Sequence, residues 1–211
     1  MTTIIPFDEG EAHLDWLALT DALAEGHKRP RAEIADTFLY RGKDTLLNRS
    51  AWIDGLGIAV KAATVFPGNP AQGHPMIGGA VNLFDDATGA LIAVVDFHLI
   101  TKWKTAGDSL LAARRLARPD SEAILIVGAG TVGASLHDAY RAAFPQARFT
   151  IWNRTTDKAR AFAETRGIGW TDDLQAAVTA ADIVTSATMS TDPLIRGDWL
   201  RPGQHVDLIG A

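Results

Sequence analysis

The stretch AILIVGAGTVGASLHDAY constrains this chain more than any other. Five apolar residues, Ala123 to Val127, run without polar interruption into Gly128, Gly130 and Gly133, and a helical pattern follows. An apolar run this short, bounded by glycine, reads as a strand buried on both faces. Such a strand needs neighbours on either side and helices above and below. The downstream sequence supplies them in alternation, with strands expected at residues 123–127, 148–152, 168–170, 182–186 and 205–209. Helices are expected between them at 132–143, 156–165 and 173–180, with a short turn near 197–200. Strand–helix alternation implies right-handed crossovers and a parallel sheet covered on both faces.

The first part of the chain has a different rhythm. Residues 15–25 form an amphipathic helical pattern, and the strand-like runs DTLLNRSAWI, GIAVKAATVF, AVNLFDD and LIAVVDF follow, separated by turn signals such as Pro67-Gly68-Asn69-Pro70. A helix over 99–116 closes this part at Arg118-Pro119. The fold class is therefore α/β: a Rossmann-type domain at residues 119–211 joined to an α+β domain at residues 1–118.

Composition narrows the function. With no cysteine, disulfides and thiol nucleophiles are excluded. A net charge of −5 argues against a nucleic-acid partner, which requires a basic face. No apolar run is long enough to span a bilayer, and MTTIIPFDEGEAH lacks the features of a secretion leader, so no membrane association and a cytoplasmic location are expected. The six histidines are scattered without metal-ligand spacing, and no metal site is expected.

The spacing of Gly128, Gly130 and Gly133, between a strand and a helix, is the dinucleotide-binding fingerprint in its confirming context. The first glycine serves the tight turn, the second lets backbone approach a pyrophosphate at the helix N-terminus, and the third allows close helix–strand packing. The alternative is that all three serve packing alone. An NAD-binding unit places an Asp or Glu at the end of its second strand, where it binds the ribose hydroxyls and repels a 2′-phosphate. Here Asn153, Arg154 and Thr155 stand at that point. A guanidinium fork with short polar neighbours is a phosphate receptor, so NADP(H) is the preferred cofactor and NAD(H) remains possible. The alternative for Arg154 is a solvated residue opening the next helix.

From about Asp44 onward the chain resembles the ornithine cyclodeaminase/μ-crystallin family. The resemblance rests on VKAATVFPGNPAQGHP, LFDDATGALIAVVD, TKWKTAGDSLLAARRLARPD, VGAGTVGA and IWNRT, in the family's order. It implies a nicotinamide-dependent oxidoreductase or cyclodeaminase of amino-acid metabolism. Its first domain binds a small imino or amino acid and builds a homodimer. Lys61 matches the lysine that faces the substrate carboxylate and reacting nitrogen. Lys104 stands where many members have a carboxylate-clamping arginine, beside Thr105, which touches the cofactor. By the same resemblance, Gly130, Thr131 and Val132 cradle the pyrophosphate and Asn153, Arg154 and Thr155 hold the 2′-phosphate. Thr188 and Met189 lie near the nicotinamide half. Lys61 and Lys104 are thus the catalytic candidates, and Arg49 joins them as a substrate-binding candidate that restores the missing guanidinium. The alternative for Lys61 is a surface strand lysine, and for Arg49 a residue with no site role.

Three activities are compatible with these residues. The reading adopted is NADPH-dependent reduction of a cyclic imino acid such as Δ1-pyrroline-2-carboxylate. The others are an NAD-dependent ornithine cyclodeaminase and a non-catalytic μ-crystallin-like ligand-binding protein. Against the family pattern the chain stops at HVDLIGA, just before the cyclodeaminase aspartate and a returning segment. The expectation is a chain that belongs to a longer polypeptide or is completed by another chain, with HVDLI as a buried strand and bare apolar surface on the sheet and on the helix at 99–116.

Overall fold

The structure, a computed structural model, describes residues 1–210. It divides into two compact units, one made of Met1–Asp15 and Ala24–Lys102, the other of Trp16–Leu23 and the chain from Trp103 onward. The change of pattern at residue 118 marks where strand–helix alternation starts. The long helix preceding it counts mostly with the second unit, because its apolar side is buried there.

The first unit is built on a six-stranded sheet. Its strands are β1 (Thr3–Ile5), β2 (Glu33–Arg41), β3 (Asp44–Ile53), β4 (Gly57–Val65), β5 (Ile77–Phe84) and β6 (Leu91–Asp96), in the order β1-β6-β5-β4-β3-β2. All pairings are antiparallel except β1 with β6. Directly paired residues share a face. One row across this sheet reads Ile5, Val95, Val81, Lys61, Arg49, Asp36. Val95 and Val81 are buried, so the row passes from apolar core to three adjacent charges.

Two strands of this sheet, β1 and β2, lie outside the expected set. Strand β1 is three residues long, too short to show a pattern. Strand β2 is the sheet's edge and is exposed along its whole length, so no polar–apolar alternation marks it. A usable signal was present: Gly42-Lys43 joins Arg41 to Asp44 as a two-residue hairpin turn, with Gly42 at φ 59°. Glycine at the first central position of such a turn is a hairpin signature.

The second unit carries β7 (Ala123–Val127), β8 (Arg148–Trp152), β9 (Gly169–Thr171), β10 (Ile183–Ser186) and β11 (His205–Leu208) in one parallel sheet, ordered β11-β10-β7-β8-β9. Preceding the sheet in the chain are α1 (Phe7–Glu11), α2 (Trp16–Gly26) and α3 (Phe97–Leu116); alternating with its strands are α4 (Thr131–Ala143), α5 (Thr156–Arg166) and α6 (Leu174–Ala180). Ile124 to Val127 and Ile183 to Ser186 are buried throughout, as central parallel strands require. Asp173 caps α6, accepting from the Ala176 N–H at 2.9 Å, and Gly167 ends α5 in the left-handed conformation.

Two expectations need correction. HVDLI is not a buried run: His205 is buried but Leu208 is 61% exposed, because β11 is an edge strand with β10 as its one neighbour. Nor is the helix at 99–116 bare. Leu99, Trp103, Ala106, Leu110 and Ala113 are all buried in this chain, and Leu116 is the exposed one. Part of the reason is α2, whose Trp16 stacks on Trp103 at 3.9 Å, and Gly107 leaves room for Leu19.

Candidate functional site

The glycine turn between β7 and α4 holds two glycines that packing requires and one that it does not. Gly128 has φ 114°, and a β-carbon there would lie 2.5 Å from the Ala187 carbonyl oxygen. On Gly133 it would lie 2.0 Å from the Gly128 oxygen. Both are glycine for the protein's own packing. Gly130 differs: its φ of −95° suits any residue, and a β-carbon would meet no protein atom within 4 Å. Its side is open, and it is the N-cap of α4 with no side-chain cap, so the first N–H groups of this 13-residue helix are left to an anion. Thr131 is exposed and Val132 half-buried at that end. This cradle fits a pyrophosphate.

Beyond β8, the three polar residues do different jobs. Asn153 braces the turn: its side-chain oxygen accepts from the Ala129 N–H at 3.1 Å and its amide donates to the Thr155 carbonyl at 3.1 Å. Arg154 is exposed and, among the described residues, has no hydrogen bond or ion pair. Thr155 is exposed and is the N-cap of α5, with no side-chain cap bond, so its hydroxyl is uncommitted next in sequence to the exposed Arg154. A dianionic phosphate fits this set. After β10, Thr188 is half-buried and its hydroxyl accepts from the Ser190 N–H at 3.2 Å, while Met189 is 90% exposed.

On α3, Lys104 is exposed and forms an ion pair with Asp108, one helical turn on. Thr105 beside it is half-buried. One turn further lies a buried polar cluster absent from the expectations. The Ser109 hydroxyl donates to the Asp207 carboxylate of β11, and the Thr185 hydroxyl of β10 donates to the same carboxylate oxygen at 3.1 Å. The Tyr140 hydroxyl of α4 sits 3.0 Å from the Ser109 oxygen. Burial, and then the Asp207 charge, push the Tyr140 hydroxyl well above the usual phenol range. The cluster ties α3, α4, β10 and β11 to one carboxylate.

In the first unit, Lys61 is half-buried on β4 and directly opposite Arg49 on β3. Arg49 in turn is opposite Asp36 on β2, and its fork closes on that carboxylate through Nε at 2.7 Å and Nη2 at 2.6 Å. The hydrogen bond from Arg49, with the charges of Arg49 and Lys61, holds the Asp36 carboxyl below the usual range. Asp36 was invisible in the sequence because its strand was. No group of three or more potential metal ligands occurs among the described residues, and none of their helices is long and apolar enough to cross a membrane.

Comparison with known proteins places this arrangement. Residues 52–211 match the ornithine cyclodeaminase/mu-crystallin family. A Δ1-pyrroline-2-carboxylate reductase of Paracoccus denitrificans (strain Pd 1222) is 47% identical over 213 aligned residues, which cover 98% of this chain and 67% of that protein. The ketimine reductase mu-crystallin of Mus musculus is 34% identical over 156 residues, covering 73% of this chain and 50% of the relative. The solved structure of Thermococcus litoralis Δ1-pyrroline-2-carboxylate reductase, in complex with NADH and L-proline, superposes with a TM-score of 0.81 at 23% identity, over 97% of this chain and 68% of that one; this likeness is one of fold. The chain thus spans about half to two thirds of the length of these proteins. The chain belongs to the ornithine cyclodeaminase/mu-crystallin family.

Proposed function

We propose that this protein is an NADPH-dependent reductase of cyclic imino acids, with Δ1-pyrroline-2-carboxylate as the type substrate. The observation that carries the reaction class is the match to a pyrroline-2-carboxylate reductase along almost the whole chain. The cofactor preference rests on Arg154, an unengaged guanidinium at the point where an NAD site keeps a carboxylate.

In this reading Gly130, Thr131 and Val132 hold the pyrophosphate through the α4 N-terminus. Arg154 and Thr155 receive the 2′-phosphate, and Asn153 keeps their loop in register with the glycine turn. Thr105, Thr188 and Met189 line the nicotinamide half. When bound, a reduced nicotinamide supplies the hydride. Lys61 neutralises the substrate carboxylate and offers a proton to the ring nitrogen, whose electron pair gains a proton as the C=N bond is reduced. Lys104 adds a second positive charge of the point type, tempered by Asp108. Arg49 adds charge beside Lys61. The first unit is read as the substrate-binding and dimer-forming part of a homodimer; exposed Ile34, Phe38 and Tyr40 on one face of β2 support that role.

The test is product analysis. Incubation with NADPH and five- or six-membered cyclic imino acids is expected to yield the saturated amino acids. Incubation with L-ornithine and NAD+ is expected to release no ammonia. Ammonia release from ornithine without imine reduction reverses the assignment.

A further inference from the structure

Three charges stand in one cross-strand row on β2, β3 and β4: Asp36, Arg49 and Lys61. The order matters. Arg49 lies between an anion and a cation, and both of its forked donors go to Asp36. A guanidinium engaged this way has its charge answered and its side-on donor pair taken, so a second carboxylate is left the Nη1–Nη2 end alone. The Asp36 carboxylate also adds a negative charge two strands from Lys61, and the depressed carboxyl range of Asp36 shows that Lys61 and Arg49 both act on it.

We infer that Asp36 is a specificity residue that restricts the site to ligands bearing one carboxylate, by neutralising Arg49 and occupying its side-on donor pair. This rests on the reading of Lys61 as the carboxylate-facing cation. A four-carbon dicarboxylate holds its two anionic groups about one strand spacing, or 4.8 Å, apart. With its first carboxylate at Lys61, its second falls at Arg49. There it meets a guanidinium already neutralised, with the Asp36 charge behind it. Like-charge juxtaposition of this kind discriminates by repulsion rather than by lost attraction. Removing the Asp36 charge does two things together: it ends the repulsion and leaves the Arg49 charge and its Nε–Nη2 donor pair to the ligand.

The experiment measures binding of L-proline and L-aspartate, as one- and two-carboxylate probes, by calorimetry on the protein saturated with NADP+. The wild type is expected to favour proline. Asp36→Asn, which preserves side-chain shape, is expected to raise the aspartate-to-proline affinity ratio roughly fivefold, the upper end for a partly exposed charge pair. Asp36→Ser is the second variant and is expected to shift the ratio the same way. Adding Arg49→Gln to Asp36→Asn is expected to erase the gain, which a merely structural role for Asp36 does not predict. An unchanged ratio in both single variants overturns the inference, as does a gain that survives loss of Arg49. Wild-type protein that binds neither probe, or is indifferent to Lys61→Ala, contradicts the carboxylate-site reading itself and the inference with it.

Discussion

A β-carbon on Gly133 would sit 2.0 Å from the carbonyl oxygen of Gly128, whereas Gly130, between them, faces open space. The two kinds of glycine should therefore respond differently to the same methyl group. Gly133→Ala is expected to destabilise the fold by several kcal/mol or to prevent folding, since backbone must move to admit it. Gly130→Ala is expected to leave the melting temperature within about a degree, because surface substitutions without contacts are near neutral. It is expected to weaken dinucleotide binding at least tenfold, about 1.4 kcal/mol. Thermal unfolding with and without cofactor checks both.

Arg154 carries the cofactor preference in this account. One charge-assisted contact to a phosphate is worth about 1.5–3 kcal/mol, so NADP(H) should bind at least about tenfold more tightly than NAD(H). Arg154→Ala is expected to remove most of that difference and leave NADH binding nearly as it was. Fluorescence titration of both cofactors against both proteins reads this directly.

In the proposed reading, turnover depends most on Lys61. Lys61→Ala is expected to lower kcat/KM for imine reduction by roughly 10²–10⁴-fold, the range for loss of a positioned proton donor. Lys104→Ala is expected to act mainly on KM, since an exposed lysine already paired with Asp108 contributes a softer charge. Steady-state kinetics on the two variants, with circular dichroism to confirm folding, separates the two effects.

The buried cluster around Asp207 predicts an alkaline weakness. The Tyr140 phenol is raised in the folded protein, so above about pH 10 the unfolded chain releases a proton that the folded chain keeps. Its stabilising share is whole below that pH and falls as pH rises, by about 1.4 kcal/mol per unit. Tyr140→Phe is expected to flatten this decline in denaturant titrations run upward from about pH 10, the ordinary phenol value. Asp207→Ala is expected to cost about 1–3 kcal/mol at neutral pH by leaving the Ser109 and Thr185 hydroxyls without their acceptor.

What could be read from the sequence follows from the range of the forces involved. The central strand β7 was legible to the residue because burial on both faces makes it a short apolar run, and β8 because Phe149 and Ile151 are buried in alternation with less buried residues. The glycine turn was legible because its geometry is local. The pair of Lys104 with Asp108 was also within reach, being one helical turn apart. Strand β2 was not, since an exposed edge strand is held by backbone pairing rather than by side-chain pattern. With β2 went Asp36, and so the fact that the Arg49 fork is already engaged. The Asp207 cluster joins residues as far as 98 positions apart, and nothing in one sequence brings such partners together.

The most direct test of the central claim is the rate of NADPH oxidation by the protein with Δ1-pyrroline-2-carboxylate, set against the same reaction with NADH. The account predicts turnover to proline, with kcat/KM at least about tenfold higher for NADPH than for NADH, the worth of one arginine–phosphate contact. Absence of NADPH oxidation with any cyclic imino acid, or equal efficiency with the two cofactors, would contradict it.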